Sequence, residues 1–260
     1  MKNTYYIYMR ELKSYFVSPI AYVVIALFLA ISGIFFYLLL QNFIQTSFRV
    51  MMQAQQFNMK VPPMNINQMI IRSLFLNMSV ITLFMLPMIT MKLFSDEKKS
   101  GTIELLFTSP LTNWEIVLGK FFAGLSVYII MILGTVSYVS VLFIYGNPDL
   151  MPVVSGYIGL ILMGSLTIAI GTFISSLTEN QIIAAVGCFG VMMILWFIGW
   201  TSSFVGPTLG AVLKYLSVMD HFGDFSKGII DSSHFVFYLS FGFFALFLTY
   251  QAVESAKWRG

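Results

Sequence analysis

Charged residues are scarce in this chain. Of its 260 residues only 10% are Asp, Glu, Lys or Arg, whereas 58% are hydrophobic, and the mean hydropathy is +0.85. A soluble domain usually carries about 25% charged residues, and a water-soluble fold of this size could not cover so much apolar surface. The composition excludes an ordinary soluble protein. The net charge of +3 is small and gives no indication of nucleic-acid binding.

Cysteine is almost absent too, since Cys188 stands alone and excludes an internal disulfide. The chain also lacks the sequences HExxH, GxSxG and CxxC, and it has no phosphate loop of the form GxxxxGK[ST]. Gly119 and Lys120 lack the upstream glycine and the following hydroxyl residue of such a loop. We therefore expect no catalytic residue, no metal site and no cofactor bound by this chain itself.

Long apolar runs dominate what is present. A helix needs about 20 apolar residues to cross about 30 Å of hydrocarbon. Charged residues fall almost wholly between six such runs, as expected if the runs lie in lipid. The sequence predicts an all-α polytopic membrane protein with one transmembrane domain over residues 1–260. Its spans cover about residues 20–40, 69–91, 116–145, 153–177, 181–202 and 235–253.

The basic residues predict the orientation of the chain. With six spans both termini share one side, which holds nine Lys and Arg residues against five on the other. Cytoplasmic loops carry the excess of basic residues. We expect a protein of the inner (cytoplasmic) membrane with both termini in the cytoplasm.

An amphipathic segment precedes the first span. Read as a helix, residues 4–16 place Arg10, Lys13 and Ser14 on the face opposite the apolar one, with Ile7 as the one residue that does not fit the pattern. Pro19 favours a break before the first span. Residues 1–19 are therefore predicted to form a helix lying in the membrane interface. The apolar face is expected to consist of Tyr5, Tyr8, Met9, Leu12, Tyr15 and Phe16.

The loop between spans two and three, residues 96–112, is the most informative stretch. A mixed charge cluster is followed by Gly101 and by a short potential helix that Pro110 ends. Thr112 and Glu115 have the spacing of a capping box, which predicts that the next helix starts near Asn113. Such an element could dock into a groove of a soluble partner, or it could be an interfacial connector without one.

The outer segment 203–234 is less polar than a plain loop. Residues 205–216 and 221–230 could form two short helices around Pro207 and Gly223, embedded as a re-entrant hairpin that gates the outer mouth. The segment also contains a cluster of titratable residues that could bind zinc or perform acid–base chemistry. We expect its members to cap helices and stay in water: Asp220, His221, Asp224, Asp231 and His234.

Small residues punctuate spans four and five. They include Gly156, Gly159, Gly164 and Gly171 in span four and Gly190 in span five. Small residues let helix backbones approach closely in a membrane. We expect these positions to form packing faces within the bundle.

Residues 99–120, KSGTIELLFTSPLTNWEIVLGK, resemble the hallmark of ABC-2-type transporter permeases. The shared features are a charged cluster, Gly-Thr-hydrophobic-Glu, a Ser-Pro, and a span that opens with Leu-Gly-Lys. The order of interface helix, six spans and a hairpin before the last span is similar too. Residues 221–231, HFGDFSKGIID, resemble the GldF-like subgroup of gliding-motility permeases.

The resemblance implies a transport subunit, not an enzyme, that works with a cytoplasmic ABC ATPase subunit and a second permease subunit, in a homo- or heterodimer. ATP and Mg²⁺ would bind to the ATPase, and an extracytoplasmic accessory protein could join the complex. The turn at Thr178, Glu179 and Asn180 would be a second cytoplasmic contact, and Pro207, His221, Phe222, Gly223 and Phe225 would form the gate. The resemblance makes residues 101–109 the coupling helix, with ATPase-contacting residues Gly101, Thr102, Ile103, Glu104, Leu105, Leu106 and Phe107.

Three functions remain open from the residues. The first is export, or mechanical work across the membrane, driven by a separate ATPase. The second is a membrane-embedded enzyme that uses the outer Asp/His cluster. The third is a membrane scaffold that recruits other proteins, and its function would survive loss of the ATPase.

Overall fold

The computed structural model describes residues 2–57, 60, 64–104 and 110–257, and this part of the chain contains no β-strand. A π-helical turn, Asn67–Ile71, precedes α3, and a 3-10 turn, Ser202–Phe204, follows α7. The α-helices follow in chain order: α1 (Lys2–Val17), α2 (Pro19–Gln56), α3 (Arg72–Thr90), α4 (Lys92–Lys99), α5 (Asn113–Tyr145), α6 (Leu150–Leu177), α7 (Gln181–Thr201), α8 (Pro207–Leu216), α9 (Val218–Phe225) and α10 (Ser232–Lys257).

Within the described part of the chain, six helical segments are long and apolar enough to cross a membrane. The first is α2, and the second is the segment Asn67–Lys99, which contains both α3 and α4. The other four are α5, α6, α7 with its 3-10 turn, and α10. The prediction of an all-α, polytopic membrane protein with six spans is therefore confirmed.

The break between α1 and α2 follows from two residues. Ser18 has an extended backbone and its hydroxyl accepts a hydrogen bond from the N–H of Ile20 at 3.4 Å, while Pro19 occupies the first helical position. Proline suits that position because its missing N–H would have no helical partner there. The predicted break is thus present.

The far end of α2 differs from the expectation. The predicted first span ended at Leu40, but the helix continues to Gln56. Residues 41–56 contain neither Gly nor Pro, and their Gln, Met and Ala are good helix formers. The stretch between the first two predicted spans is therefore helical as far as Gln56.

Helix α6 lies at the centre of the bundle, where it packs against α3, α4, α5, α7, α9 and α10. Its glycines receive side chains from these neighbours: Gly156 meets Phe75 of α3 and Gly164 meets Tyr128 of α5. Gly190 in α7, by contrast, faces open space. The predicted packing face is therefore present in α6 but does not include Gly190.

We expect Gly164→Ala to destabilise the bundle by about 1–3 kcal/mol, the usual cost of overpacking. The added methyl would overlap the ring of Tyr128, and that ring is held in place because its hydroxyl donates to the carbonyl of Leu160 at 2.9 Å. Equilibrium unfolding in mixed micelles measures the change. Gly190→Ala is the matched control, since its methyl enters open space; equal losses in the two variants would contradict the packing argument.

Residues 207–225 form two short helices, α8 and α9, joined at Ser217, and we call this pair the hairpin. The hydroxyl of Ser217 accepts the N–H of Asp220 at 3.2 Å and so caps α9. Hydrogen bonds from α6 and α10 are among those that hold α9 against its neighbours. Ser155 of α6 donates to the carbonyl of Phe225 at 2.7 Å, and Tyr238 of α10 donates to the carbonyl of Val218 at 2.9 Å.

Candidate functional site

Helices α3 and α4 meet at Met91, at the end of the bundle opposite the hairpin; we call this end the α4 end. The buried hydroxyl of Ser175 in α6 accepts the N–H groups of Phe94 and Ser95 at 3.0 and 3.1 Å, and it lies 3.1 Å from the carbonyl of Met91. The first N–H groups of a helix have no partner within it. One side chain of the central helix therefore fixes the start of α4.

Helix α4 ends in a tight turn at Gly101, the first residue of the predicted coupling segment. Gly101 has φ of +71°, the left-handed conformation that glycine adopts most readily. The hydroxyl of Ser100 donates to the carbonyl of Asp96 at 2.8 Å, and the hydroxyl of Thr102 lies 2.9 Å from that of Ser100. Thr102 therefore belongs to the cap of α4, and the turn sets the direction in which the coupling segment leaves.

The coupling segment begins with Ile103 and Glu104, both of which are helical. Ile103 is half-buried against the hydrophobic core, whereas Glu104 is exposed. The coupling helix over residues 101–109 stays a prediction, since the structure describes only its first residues. The remaining predicted contacts lie outside the described residues: Leu105, Leu106 and Phe107.

The chain enters α5 through the predicted capping box. The N–H of Glu115 donates to the hydroxyl of Thr112 at 3.3 Å, and the N–H of Thr112 donates to the carboxylate of Glu115 at 3.0 Å. Both halves of the box are present, and α5 begins at Asn113. This prediction is confirmed.

The turn between α6 and α7 lies beside α4. The side-chain carbonyl of Asn180 caps α7 by accepting the N–H of Ile182 at 2.9 Å, while Glu179 is exposed. The backbone N–H of Asn180 donates to the hydroxyl of Thr178 at 3.1 Å. Gln181 then donates from its amide to the carboxylate of Asp96 at 2.7 Å. The start of α7 and helix α4, which lead out of the turn and into the coupling segment respectively, are therefore joined by a direct hydrogen bond.

Helix α1 packs along the start of α5 through a face that includes Ile7. Ile7 is only 5% exposed, whereas Tyr5 is 55% exposed. Gly119 of α5 allows Ile7 to pack closely there, because a Cβ at position 119 would lie 2.7 Å from the side chain of Ile7. Ile7, the one residue that did not fit the predicted pattern, therefore lies on the face that docks on α5, whereas Tyr5 of the predicted apolar face does not dock there.

Four charged side chains join α1, α4 and α5, and we call them the junction cluster: Arg10, Glu11, Glu97 and Lys120. The Lys120 ammonium lies 2.8 Å from Glu97 and 3.1 Å from Glu11. The Arg10 guanidinium lies 2.7 Å from Glu97 and 2.6 Å from Glu11. Each carboxylate therefore binds both cations, and each cation bridges two helices.

Burial of Lys120 makes the ion pairs of the junction cluster important for stability. The Lys120 side chain is only 1% exposed, and its ammonium also lies 5.1 Å above the ring of Phe94. Burial acts to raise the pKa of Glu11, but the nearby Lys120 and Arg10 charges outweigh it and hold that pKa below its ordinary value. A desolvated cation depends on its partners far more than an exposed one does. The cluster therefore fixes the relative positions of the three helices.

The predicted gate residues at the hairpin differ in how far they are buried. Phe222, Phe225 and His221 are buried between α9 and the bundle, and Phe225 packs over Gly159 of α6. Pro207 is exposed at the start of α8, and Gly223 is half-buried.

Only some side chains of the titratable cluster within residues 220–234 are exposed to solvent. Asp231 accepts the N–H of Ser233 at 2.9 Å and so caps α10, as expected. His221 and His234 are instead buried and bind each other, so the expectation that both stay in water is wrong. Among the described residues no group of three His, Cys, Asp or Glu side chains is placed to hold a metal ion.

A family model described as "ABC-2 family transporter protein" matches residues 5–215. The chain belongs to this family. The match covers the α4 end, the coupling segment and most of the helices, and it ends within α8. A comparison with curated proteins finds none that matches. Membership makes the chain a permease subunit of an ABC transporter and not an enzyme, and it implies association with an ABC ATPase and a lipid bilayer.

Sequence reasoning missed the junction cluster of this permease. Lys120 was placed at the start of a span and counted only for orientation, and Glu11 was given no role. One signal was available: Glu11 lies four residues after Ile7 and four before Tyr15, hence on the same helical face. Burying a carboxylate is costly unless a cation pairs with it. Lys120 is the residue after Gly119, against which this face of α1 packs.

Proposed function

We propose that the permease transmits ATP-driven conformational change from a separate ABC ATPase to its membrane helices. The ATPase would dock on residues 101–109 and on the turn formed by Thr178, Glu179 and Asn180. ATP and Mg²⁺ would bind to that partner. The α4 end would then face the cytoplasm together with both termini, in the inner membrane.

The observation that best supports this proposal is the bonding around the coupling segment. The segment leaves α4 through the Gly101 turn and returns into α5 through the capping box at Thr112. Lys120 of α5 binds Glu97 of α4 directly, and both bind groups of α1. A force on the segment would therefore act on three helices that are already fastened together, so that a docking event moves them as a unit.

The hydrogen bond between Gln181 and Asp96 extends this unit to α7. An ATPase surface that touches the coupling segment would also reach the exposed Glu179. Differential contact with the two positions would bias the equilibrium between conformations, which is how a partner drives a conformational change.

Finer features follow from family resemblance. We propose that two permease subunits pair, as a homo- or heterodimer, and that the complex exports its substrate or performs mechanical work, with an accessory protein on the outer side. A place in the GldF-like gliding-motility subgroup is proposed from residues 221–231. An enzyme built on the outer cluster is less favoured, because both of its imidazoles are buried in a hydrogen-bonded pair.

Glu104→Arg tests the proposed coupling role. Glu104 is exposed, so reversing its charge alters the docking surface without altering the core. We expect the ATPase that co-purifies with the tagged permease to bind at least about tenfold more weakly, because like charges placed opposite each other cost several kcal/mol and 1.4 kcal/mol is tenfold. Titration of purified ATPase into permease nanodiscs measures this.

Two variants serve as controls for that experiment. Glu104→Gln removes the charge without reversing it and should weaken binding less. Lys214→Glu reverses a charge at the hairpin and should leave ATPase binding unchanged. Normal ATPase binding and transport in Glu104→Arg would refute the coupling role, and transport that survives loss of the ATPase would favour a scaffold.

A further inference from the structure

A cavity of about 240 Å³ lies where α1, the start of α2, α4 and α5 meet. The four residues of the junction cluster form part of its wall. Its other lining residues include Ser14, Ser18, Ile20, Lys92, Leu93 and Asp96. A water molecule occupies about 30 Å³ in the liquid, so the cavity has the volume of about eight waters. It is therefore large enough for a small charged group such as a lipid headgroup.

The cavity lies at the depth of the lipid headgroups. Ser18 directly precedes α2, which enters the membrane, and Lys92 directly follows the predicted end of the second span. A space that is shared by the ends of two spans borders the hydrocarbon core and lies in the headgroup region. Val23 and Leu27 follow Ile20 by three and seven residues, hence on the same face of α2, and both are exposed. An apolar surface for acyl chains therefore continues from the cavity.

One cation in the wall of the cavity has no partner. The junction cluster is neutral in itself, because its two carboxylates bind its two cations. Lys92 is half-buried, and within the part of the chain that the structure describes its ammonium makes no ion pair and no hydrogen bond. Removing a charge from water is costly unless an opposite charge compensates it. Lys92 therefore favours an anionic group in the cavity.

Further hydrogen-bond donors line the same space. The hydroxyl of Ser14 makes no hydrogen bond to any residue that the structure describes. The hydroxyl of Ser18 accepts the N–H of Ile20 at 3.4 Å, which leaves its own O–H to donate elsewhere. Arg10 binds both carboxylates of the junction cluster through Nη2, so its other two nitrogens keep their N–H groups. A phosphate accepts several charge-assisted bonds at once and suits this set of donors.

A carboxylate one helical turn away adds a second charge. Asp96 follows Lys92 by four residues and therefore lies on the same face of α4. Its side chain is exposed, and its Oδ1 accepts the amide of Gln181 at 2.7 Å, which leaves Oδ2 as an acceptor. The cavity thus presents an unpaired ammonium and an exposed carboxylate side by side. A ligand with a phosphate next to an ammonium group complements both charges.

We propose that this cavity is a binding site for the headgroup of phosphatidylethanolamine from the surrounding bilayer. The phosphate binds Lys92 and the two hydroxyls, the ammonium binds Asp96, and an acyl chain follows the exposed face of α2. The lining carries three cations and three carboxylates, so a zwitterion fits it better than a net anion does. Choline fits less well, because its quaternary ammonium has no N–H to donate. The site is independent of the proposed ATPase coupling, since its ligand comes from the membrane.

Native mass spectrometry of the full-length permease in delipidated detergent tests the site by titration with lipids of identical chains. We expect dioleoyl-phosphatidylethanolamine to bind at least about tenfold more tightly than dioleoylglycerol, which lacks the phosphate and ammonium, because hydrogen bonds to charged groups are strong. Dioleoyl-phosphatidylcholine should bind with intermediate affinity. O-Phosphoethanolamine, which has the headgroup without chains, should not compete at the same concentration. Equal binding of dioleoylglycerol, or full competition by O-phosphoethanolamine, would overturn the proposal.

Variants separate this site from general attraction of lipids to basic residues. Lys92→Met should weaken phosphatidylethanolamine binding at least about tenfold, whereas Lys92→Arg should retain most of it. Lys13→Met is the matched control, because Lys13 is an exposed cation of α1 that does not line the cavity. Asp96→Asn keeps the acceptor for Gln181 and should reduce the preference for phosphatidylethanolamine over phosphatidylcholine. Equal losses in Lys92→Met and Lys13→Met, or an unchanged preference in Asp96→Asn, would contradict the proposed site.

Discussion

Replacing Lys120 by methionine should destabilise the permease by about 3 kcal/mol, more than any other single change that we propose. Removing one partner of a buried ion pair costs about 3–5 kcal/mol, because the other charge stays behind in a poorly solvated place. We expect the lower end, since Glu11 and Glu97 retain 14% and 18% side-chain exposure and Arg10 still binds both. Equilibrium unfolding in mixed micelles measures the loss.

A second substitution distinguishes lost charge balance from lost packing. In Lys120→Met, Glu11 and Glu97 share the single cation Arg10; adding Glu97→Gln removes one of these two carboxylates, so part of the stability should return. The coupling energy of this double-mutant cycle should exceed about 1 kcal/mol, as for residues of one network. Lys227→Met breaks an exposed pair, 44% and 36% accessible, and should cost about 0–1 kcal/mol. If Lys120→Met and Lys227→Met lowered the free energy of unfolding equally, burial would not strengthen the ion pairs of the junction cluster.

Features encoded by neighbouring residues were predictable from the sequence. The spans follow from runs of apolar residues, and the starts of α2 and α5 follow from Pro19 and from the Thr112–Glu115 box. These signals operate within one turn of a helix, so they depend little on the rest of the fold. The packing of α6 was predictable for a similar reason, because glycine in a membrane helix admits a neighbouring helix.

Features set by contacts between distant residues were not predictable. The buried face of α1 depends on Gly119, more than 100 residues away in sequence, which makes room for Ile7 and not for Tyr5. Tyrosine suits the membrane interface and can stay exposed there, so aromatic content alone does not identify the docked face.

The ion pairs of the junction cluster could not be predicted from neighbouring residues for the same reason. Lys120 and Glu97 flank the coupling segment on either side, and each resembles an ordinary interfacial residue until the helices are brought together. His221 and His234 resemble wet helix caps until α9 packs on α10. In each case the chemistry arises from burial, and burial is a property of the assembled bundle.

Replacing Gly101 by valine should uncouple the ATPase from the spans while leaving the bundle intact. The left-handed φ of +71° costs an L-residue roughly 1–2 kcal/mol and a β-branched residue more, and no neighbouring atom lies within 4 Å of the new Cβ. The effect is therefore confined to the backbone of the turn, which would re-aim Thr102, Ile103 and Glu104 relative to α4.

Gly101→Asn is the matched control for this effect, because asparagine tolerates the left-handed conformation and adds a side chain to the same open space. We expect transport per ATP hydrolysed to fall about five- to thirtyfold in Gly101→Val, the factor that corresponds to 1–2 kcal/mol, and to change little in Gly101→Asn. Reconstituted permease with its co-purified ATPase provides both rates, and the free energy of unfolding should fall in Gly101→Val by about 1–2 kcal/mol at most, since the turn can relax. If the two variants behave alike, the direction set by the Gly101 turn does not matter for coupling, and the ATPase must act on the spans through the Thr178–Asn180 turn instead.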